Sequence, residues 1–219
     1  MDVTSRPRDD SGMATEPDLA SRWDDAYAEG DATRSWFQAA PTMSLRMLDA
    51  AGVTAADSVI DVGGGASPLA GALLGRGFRD VTVLDISAAA LRYARKRLGP
   101  QAGQVHWLTA DIRAWRPPRR YAVWHDRAVF HFLTAEPDRQ AYLRVLTAAT
   151  AANAVAVFGC FAPEGPRQCS GLPVARYGPR ELADELGRHW TLIAEDREDH
   201  ATPAGLTQPF TWVALRKTR

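Results

Sequence analysis

The stretch Val59-Ile60-Asp61-Val62-Gly63-Gly64-Gly65-Ala66-Ser67 decides the fold of this chain. A short, mostly apolar run leads into three consecutive glycines, and an apolar segment from Pro68 to Leu74 follows. Glycine permits positive φ angles and lets the backbone approach a ligand closely. The pattern therefore predicts a buried strand, a tight turn, and a helix whose N-terminal N–H groups point toward that turn.

Downstream of this turn, strand-like and helix-like segments alternate. The predicted strands are Val59–Val62, Val81–Leu84, Val105–Thr109, Tyr121–Trp124, Ala154–Phe158, Trp190–Ala194 and Pro209–Leu215. The predicted helices are Pro68–Leu74, Ser87–Leu98, Asp138–Ala151 and Pro179–Leu186. Such alternation is typical of a doubly wound, Rossmann-like α/β fold with a mostly parallel sheet. A polar loop joins the last two strands, which predicts that they are antiparallel to each other.

Length and composition favour one globular domain. The chain has 219 residues, of which 46% are apolar and 24% charged, and both fractions are ordinary for such domains. Residues 1–18 are polar and lack apolar periodicity, so we predict a disordered tail there. Residues 19–219 then form the domain, and residues 19–51 form a helical segment ahead of the main sheet.

Several classes of partner are disfavoured. Lys and Arg number 26, as do Asp and Glu, so the chain lacks the net positive charge typical of nucleic-acid binding. Two cysteines cannot complete a four-ligand zinc site or a disulfide framework, and no other set of residues has metal-ligand spacing. The chain has no apolar run long enough to span a bilayer and no secretory signal at its N-terminus. These features predict a cytoplasmic protein without a metal.

Polar residues follow the predicted strands at positions suited to a nucleotide. Asp85 ends the second strand, where a carboxylate can accept hydrogen bonds from both hydroxyls of a ribose. Asp111 follows the third strand, where it can accept from an adenine amino group. Ile86 and Ile112 would contact the faces of the ring. The carboxyl ends of parallel strands share one edge of a sheet, so these residues should lie together with Gly63, Gly64 and Gly65.

Together these motifs resemble those of the class I S-adenosylmethionine-dependent methyltransferases, over about Val59 to Phe158. The resemblance implies a seven-stranded sheet with its last strand antiparallel, and a donor site formed by Asp61, the glycine turn, Asp85, Ile86, Asp111 and Ile112. Ser67 stands where the family usually has a third glycine. The implied cofactor is S-adenosyl-L-methionine, and the implied product is S-adenosyl-L-homocysteine.

Two further segments are similar to small-molecule methyltransferases of the thiopurine and tellurite type. One is Trp124-His125-Asp126-Arg127, which in that group lies beside the methionine part of the donor. It predicts a donor contact for His125 and catalytic roles for His125, Asp126 and, six residues beyond His125, His131. The other is Ser35-Trp36-Phe37-Gln38, which predicts that Trp36 belongs to an aromatic lid over the donor.

Four functions remain open at this point. We expect methyl transfer to a small-molecule acceptor, and methylation of protein lysine on the same fold is the main alternative. A nicotinamide-dependent oxidoreductase also needs a ribose-binding acid, but the dinucleotide fingerprint fails here because Pro68 occupies its third glycine position. A non-catalytic protein that only binds the donor is the fourth. Cys160 and Cys169 also raise the weaker hypothesis of a soft metalloid as the acceptor.

Overall fold

The computed structural model describes residues 18–28 and 32–218. Residues 1–17, which make up nearly all of the predicted tail, lie outside the described residues. The helices are α1 (Leu19–Ala26), α2 (Thr42–Ala50), α3 (Leu69–Gly75), α4 (Ala88–Leu98), α5 (Glu136–Ala149) and α6 (Pro179–Leu186). The strands are β1 (Val59–Val62), β2 (Val81–Asp85), β3 (Val105–Thr109), β4 (Tyr121–Arg127), β5 (Thr150–Phe161), β6 (Gln168–Cys169), β7 (Leu172–Pro173), β8 (Trp190–Ala201) and β9 (Thr207–Lys217).

Seven strands form one sheet in the order β3-β2-β1-β4-β5-β9-β8. Strands β1 to β5 pair in parallel, whereas β9 is antiparallel to both β5 and β8. The predicted Rossmann-like sheet with an antiparallel last strand is therefore confirmed. Strand order reverses between β1 and β4, and ligands bind at such a switch point in open α/β sheets.

Each face of the sheet has its own apolar core. Alternate residues of β1 point to opposite faces, so Val59 packs on one side and Ile60 on the other. Helices α2 and α3 cover the first face through residues such as Met47 and Leu73. Helices α5 and α6 cover the second face, where Tyr142 is completely buried. The two faces will be called the α2 face and the α5 face.

The strands are longer than their apolar runs suggested. Strand β4 continues three residues past Trp124 to Arg127, because Asp126 and Arg127 still pair with Phe158 and Gly159 of β5. Strand β5 begins at Thr150, immediately after α5 ends. His125 and Asp126 therefore belong to a strand and not to the loop that follows it.

The predicted N-terminal helical segment is present as α1 and α2. Ser87 caps α4 as predicted, since its hydroxyl accepts a hydrogen bond from the Ala90 N–H. Within residues 18–28 and 32–218, no helix is long and apolar enough to cross a membrane.

Candidate active site

A cavity of about 320 Å³ opens where β1, β2, β3 and β4 end, at the switch point of the sheet. Its walls include most of the residues predicted to bind the donor: Trp36, Asp61, Gly63, Gly64, Asp85, Ile86, Asp111, Ile112 and His125. Gly65 is next to this set but is not part of the lining. These lining residues are scattered between positions 36 and 125 of the sequence. The topology brings them together at one site, as ligand binding in this fold requires.

The glycine turn leaves no room for side chains. Gly63 and Gly65 have φ angles of +63° and +45°, in the left-handed region. A Cβ atom on Gly64 would lie 2.5 Å from the Asp61 Oδ2 atom, and one on Gly63 would overlap the side chain of Val129. The bare backbone of this turn therefore forms a cradle beside the Asp61 carboxylate.

Asp61 has one oxygen engaged and one oxygen free. Its Oδ1 atom lies 2.7 Å from His125 Nδ1, and His125 Nε2 lies 2.9 Å from the Ser44 hydroxyl. All three residues are 2% exposed. The Asp61 Oδ2 atom is buried without a hydrogen-bond partner among the described residues. A buried carboxylate oxygen without a partner is costly, and Asp61 is one of the residues that line the cavity.

Asp85 stands at the end of β2, and its Oδ1 atom accepts a hydrogen bond of 2.8 Å from the Ser87 N–H. Burial raises the pKa of Asp85 to about 7, although hydrogen bonds from the backbone of Ser87 and Gly65 offset part of this rise. The charges of Asp61 and Asp24 raise the pKa further. A ligand that donates hydrogen bonds to the Asp85 carboxylate would therefore stabilise its ionised form.

Asp111 is held by an arginine two residues away. Its carboxylate binds Arg113 through both oxygens, and Arg113 also contacts Asp138 at 3.1 Å. Burial raises the pKa of Asp111, but the hydrogen bonds from Arg113 outweigh that effect, so the net pKa is lowered. The carboxylate is thus ionised and fixed at the cavity wall beside Ile112.

Helix α1 roofs the cavity and is fastened at two points. The Asp24 carboxylate accepts hydrogen bonds from the Ser87 hydroxyl (2.6 Å) and the Ala89 N–H (2.9 Å), at the N-terminus of α4. On the other side of the cavity, Arg22 donates to the Ser170 carbonyl in the β6–β7 turn. Trp36 lies under this roof and packs edge-on against Trp23, with ring centroids 5.8 Å apart. Trp36 and Trp23 line the cavity here, and the role of an aromatic lid over the donor stays a prediction.

The three residues predicted to be catalytic do not converge. His125 points to the α2 face and has both ring nitrogens engaged. Asp126, the next residue of the strand, points to the α5 face and is completely buried. It accepts hydrogen bonds from the Tyr142 hydroxyl and from the backbone N–H groups of Val129 and Phe130. Neither group has the free, accessible atom that proton transfer requires.

His131 is also placed inside the protein. It is completely buried among aromatic rings, including those of Phe132 and Phe161, each with its centroid 4.7 Å from the imidazole. Burial, together with the charge of Arg127, lowers the pKa of His131 to about 3. Such an imidazole is a weak base, and His131 is not among the residues that line the cavity. We therefore correct the expectation that these three residues act as acid or base, and treat them as structural.

The two cysteines lie on opposite faces of the sheet. Cys160 belongs to the core on the α5 face, whereas Cys169 packs on the α2 face and lines the cavity. Burial raises the pKa of both thiols. Because the thiols do not converge, the hypothesis of a paired metalloid site is wrong. Within the described residues, no group of His, Cys, Asp and Glu is arranged to hold a metal ion.

Sequence reasoning missed Ser44, Asp24 and Arg127. Ser44 contacts a residue that is 81 positions away in the sequence, and Asp24 contacts one that is 63 positions away. No local sequence pattern predicts such contacts. Arg127 lines the cavity because it shares a strand face with His125. Its position followed from strand alternation once β4 was known to extend beyond Trp124.

Comparison with known proteins agrees with this geometry. Residues 59–153 match the family described as "Methyltransferase domain". The match spans the glycine turn, Asp85 and Asp111, the residues that build the cavity described above. Residues 59–153 therefore form a methyltransferase domain, and the sheet has the fold of the class I S-adenosylmethionine-dependent methyltransferases. A search among curated proteins gives no match.

Solved structures, two of them named as methyltransferases, share the fold over about nine tenths of this chain. One is the N-methyltransferase NodS from Bradyrhizobium japonicum with S-adenosyl-L-homocysteine: TM-score 0.70, 14% identity, covering 92% of this chain and 100% of that one. Another is a 1,6-didemethyltoxoflavin-N1-methyltransferase from Burkholderia thailandensis: TM-score 0.62, 19% identity, covering 91% and 84%. A third comes from work on the conversion of a disulfide bond into a thioacetal group during echinomycin biosynthesis: TM-score 0.72, 20% identity, covering 91% and 93%.

These structures do not decide the narrower resemblance to the thiopurine and tellurite type, which stays a prediction. They agree with the methyltransferase chemistry that the family match assigns, in which S-adenosylmethionine is the methyl donor.

Replacing Ser44 with alanine tests the link from α2 to Asp61. The change leaves His125 Nε2 buried without a partner, so we expect the free energy of unfolding to fall by about 1–2 kcal/mol in chemical denaturation. We also expect weaker binding of S-adenosylhomocysteine and unchanged binding of 5′-methylthioadenosine, which lacks the amino acid. Ser58→Ala is the control, because Ser58 accepts a hydrogen bond from Ala122 away from the cavity. Equal losses for both nucleosides would show that Ser44 acts only on stability.

Proposed function

We propose that this methyltransferase transfers the methyl group of S-adenosylmethionine to a small-molecule acceptor. The observation that carries the proposal is the buried, unpartnered Oδ2 atom of Asp61 beside the bare glycine turn. The methionine part of the donor has an ammonium group that matches this oxygen in charge and hydrogen bonding. Asp85 suits the ribose hydroxyls, and Asp111 with Ile112 suits the adenine ring.

The acceptor side of the cavity favours a small aromatic or apolar molecule. Trp23, Trp36 and Phe132 form its wall, with Trp23 packed edge-on against both neighbours. Arg127 adds a positive charge to the same wall. A cationic, aromatic pocket repels a lysine ammonium group, and therefore counts against methylation of protein lysine.

The residues of this site act mainly by positioning. When bound, S-adenosylmethionine supplies an electrophilic methyl group, which the acceptor's lone pair takes as the thioether departs. Alignment of the two reactants contributes most of the rate enhancement, on the order of 7–11 kcal/mol at its upper limit. The Ser44–His125–Asp61 chain orients one carboxylate oxygen, and α1 excludes water from the cavity. None of the three buried groups predicted as catalysts serves as a general base in this scheme.

Transfer from radiolabelled S-adenosylmethionine tests the acceptor class. Wild-type protein should label members of a panel of aromatic amines, phenols and thiols, and the label should extract with the small molecules. Label recovered on added proteins, with none on the small molecules, would favour the lysine alternative and contradict the proposal.

We keep the cytosol as the predicted compartment and the absence of a nucleic-acid partner as a prediction.

The pH dependence of donor binding tests Asp85. Its pKa is raised to about 7 in the ligand-free protein, and ribose hydroxyls donate hydrogen bonds best to the ionised form. Binding must therefore release a proton below that pH. We expect the affinity for S-adenosylhomocysteine in calorimetry to rise with pH by up to about tenfold per unit below pH 7, and then to level off. Asp85→Asn should bind weakly with a flat profile, and a steep profile in that variant would assign the effect elsewhere.

A further inference from the structure

Arg127 is a cation at the cavity wall that forms no ion pair with any other described residue. Its Nη1 atom donates to the Trp36 carbonyl at 3.1 Å, and its guanidinium lies over the Phe210 ring, 4.9 Å from the centroid. The Nε and Nη2 atoms are shielded from solvent and have no hydrogen-bond partner among residues 18–28 and 32–218. Arg127 as a whole is partly exposed, but its two buried donors without a partner carry a desolvation cost at the cavity wall.

The other charged residues near Arg127 already have hydrogen-bond or ion-pair partners. Glu198 is a carboxylate whose charge acts on Arg127, but its hydrogen bonds come from Gln38 and the Trp212 indole. Arg113, the other arginine of the cavity, is neutralised by Asp111 and Asp138. Among the described lining residues, Arg127 is thus the one guanidinium without a carboxylate.

The position of Arg127 assigns it to the acceptor end. It lies two residues beyond His125 on the same face of β4, past the last residue of β1, and it pairs with Gly159 of β5. Adenosine-binding residues stand on the opposite side, at the ends of β2 and β3. The groups around Arg127, namely Trp36, Phe210 and Cys169, come from the lid, β9 and the β6–β7 hairpin.

We propose that Arg127 binds an anionic group of the methyl acceptor, a carboxylate or a group of similar planar shape, and so selects acidic aromatic small molecules. This inference rests on the proposed function. A guanidinium offers parallel N–H donors that match the two oxygens of a carboxylate, and such a group would supply the acceptors that the unpaired donors of Arg127 lack. The aromatic wall of Trp23, Trp36 and Phe132 receives the ring that carries this group.

Matched pairs of ligands test the proposal. Benzoate, 4-hydroxybenzoate and nicotinate, each beside its carboxamide, are titrated into the protein saturated with S-adenosylhomocysteine, and binding is followed by ligand-observed NMR. We expect each acid to bind wild-type protein at least about tenfold more tightly than its amide. Arg127→Met should abolish this difference, and Arg127→Lys should retain part of it. Arg76→Met, which removes an exposed arginine paired with Asp49 at the end of α3, should change nothing.

Three results would overturn the proposal. The first is the absence of any preference for the acids, including the case in which no acid binds. The second is a preference that persists in Arg127→Met. The third is weaker binding of S-adenosylhomocysteine, but not of 5′-methylthioadenosine, in Arg127→Met, because Arg127 would then bind the donor's own carboxylate. Failure of wild-type protein to bind S-adenosylhomocysteine would instead contradict the proposed function itself.

Folding of the variant is a separate readout. Because two donors of Arg127 have no partner among the described residues, Arg127→Met should not lower the thermal midpoint of unfolding. Arg127→Lys provides the same test of acid binding with the charge retained, should the methionine variant misfold.

Discussion

Asp61→Asn should weaken binding of S-adenosylhomocysteine by about 100-fold or more. An asparagine keeps an oxygen to accept the hydrogen bond from His125 Nδ1, so the Ser44–His125 chain survives. Its amide NH₂ group then replaces the free Oδ2 atom and faces the ammonium group of the ligand. Loss of a charge-assisted hydrogen bond and the repulsion between two donors together cost about 3 kcal/mol. Calorimetric titration of both proteins measures the change.

The amino acid part of the ligand supplies the internal control. 5′-Methylthioadenosine lacks the ammonium group, so wild type and Asp61→Asn should bind it equally. Asp49→Asn, which alters an exposed carboxylate on α2 paired with Arg76, should bind both nucleosides as wild type does. If Asp61→Asn lost the two ligands in equal measure, the carboxylate would be maintaining the fold of the cavity and not binding the ammonium group.

Asp126→Ala should destabilise the protein by about 3–5 kcal/mol in chemical denaturation. The change leaves the Tyr142 hydroxyl and the N–H groups of Val129 and Phe130 without their buried acceptor. Each such group costs about 1–3 kcal/mol. Tyr142 also accepts from the Trp124 indole, so the loss spreads through the core on the α5 face.

Asp126→Asn is the matched comparison, because its side-chain oxygen still accepts from the two backbone N–H groups. Burial raises the pKa of Asp126 to about 6 in the folded protein, above the ordinary value of about 3.9 for an unfolded chain. The stability that this carboxyl contributes is therefore full below pH 4 and is lost as pH rises through 6. Asp126→Asn should remove that part of the pH dependence. A methyl-transfer rate that collapsed in Asp126→Asn, with stability unchanged, would instead restore a catalytic role for this residue.

The donor side of the site could be predicted because it depends on local patterns. A strand that runs into glycines, and acidic residues at the ends of the next two strands, are visible over a few residues each. The parallel topology then places their ends together without any knowledge of side-chain contacts. Asp61, Asp85 and Asp111 line the cavity for this reason.

The errors concern the length of β4 and contacts between distant residues. With Trp124 predicted as the last strand residue, the faces of the sheet that His125 and Asp126 occupy were left unspecified. Pairing with β5 keeps them in the strand, and alternation sends them to opposite faces. The partners that occupy His125 and Asp126, namely Ser44 and Tyr142, come from helices whose docking only the tertiary structure specifies.

Calorimetric titration of the wild-type protein with S-adenosylhomocysteine, beside an identical titration with NADH, tests the central claim most directly. The Asp61 oxygen, the glycine cradle and Asp85 predict one binding site per chain, with an affinity in the range of about 1–100 μM for the homocysteine adduct and none for the nicotinamide cofactor. Absence of binding by S-adenosylhomocysteine, or tighter binding of NADH, would contradict the assignment of this cavity to the methyl donor.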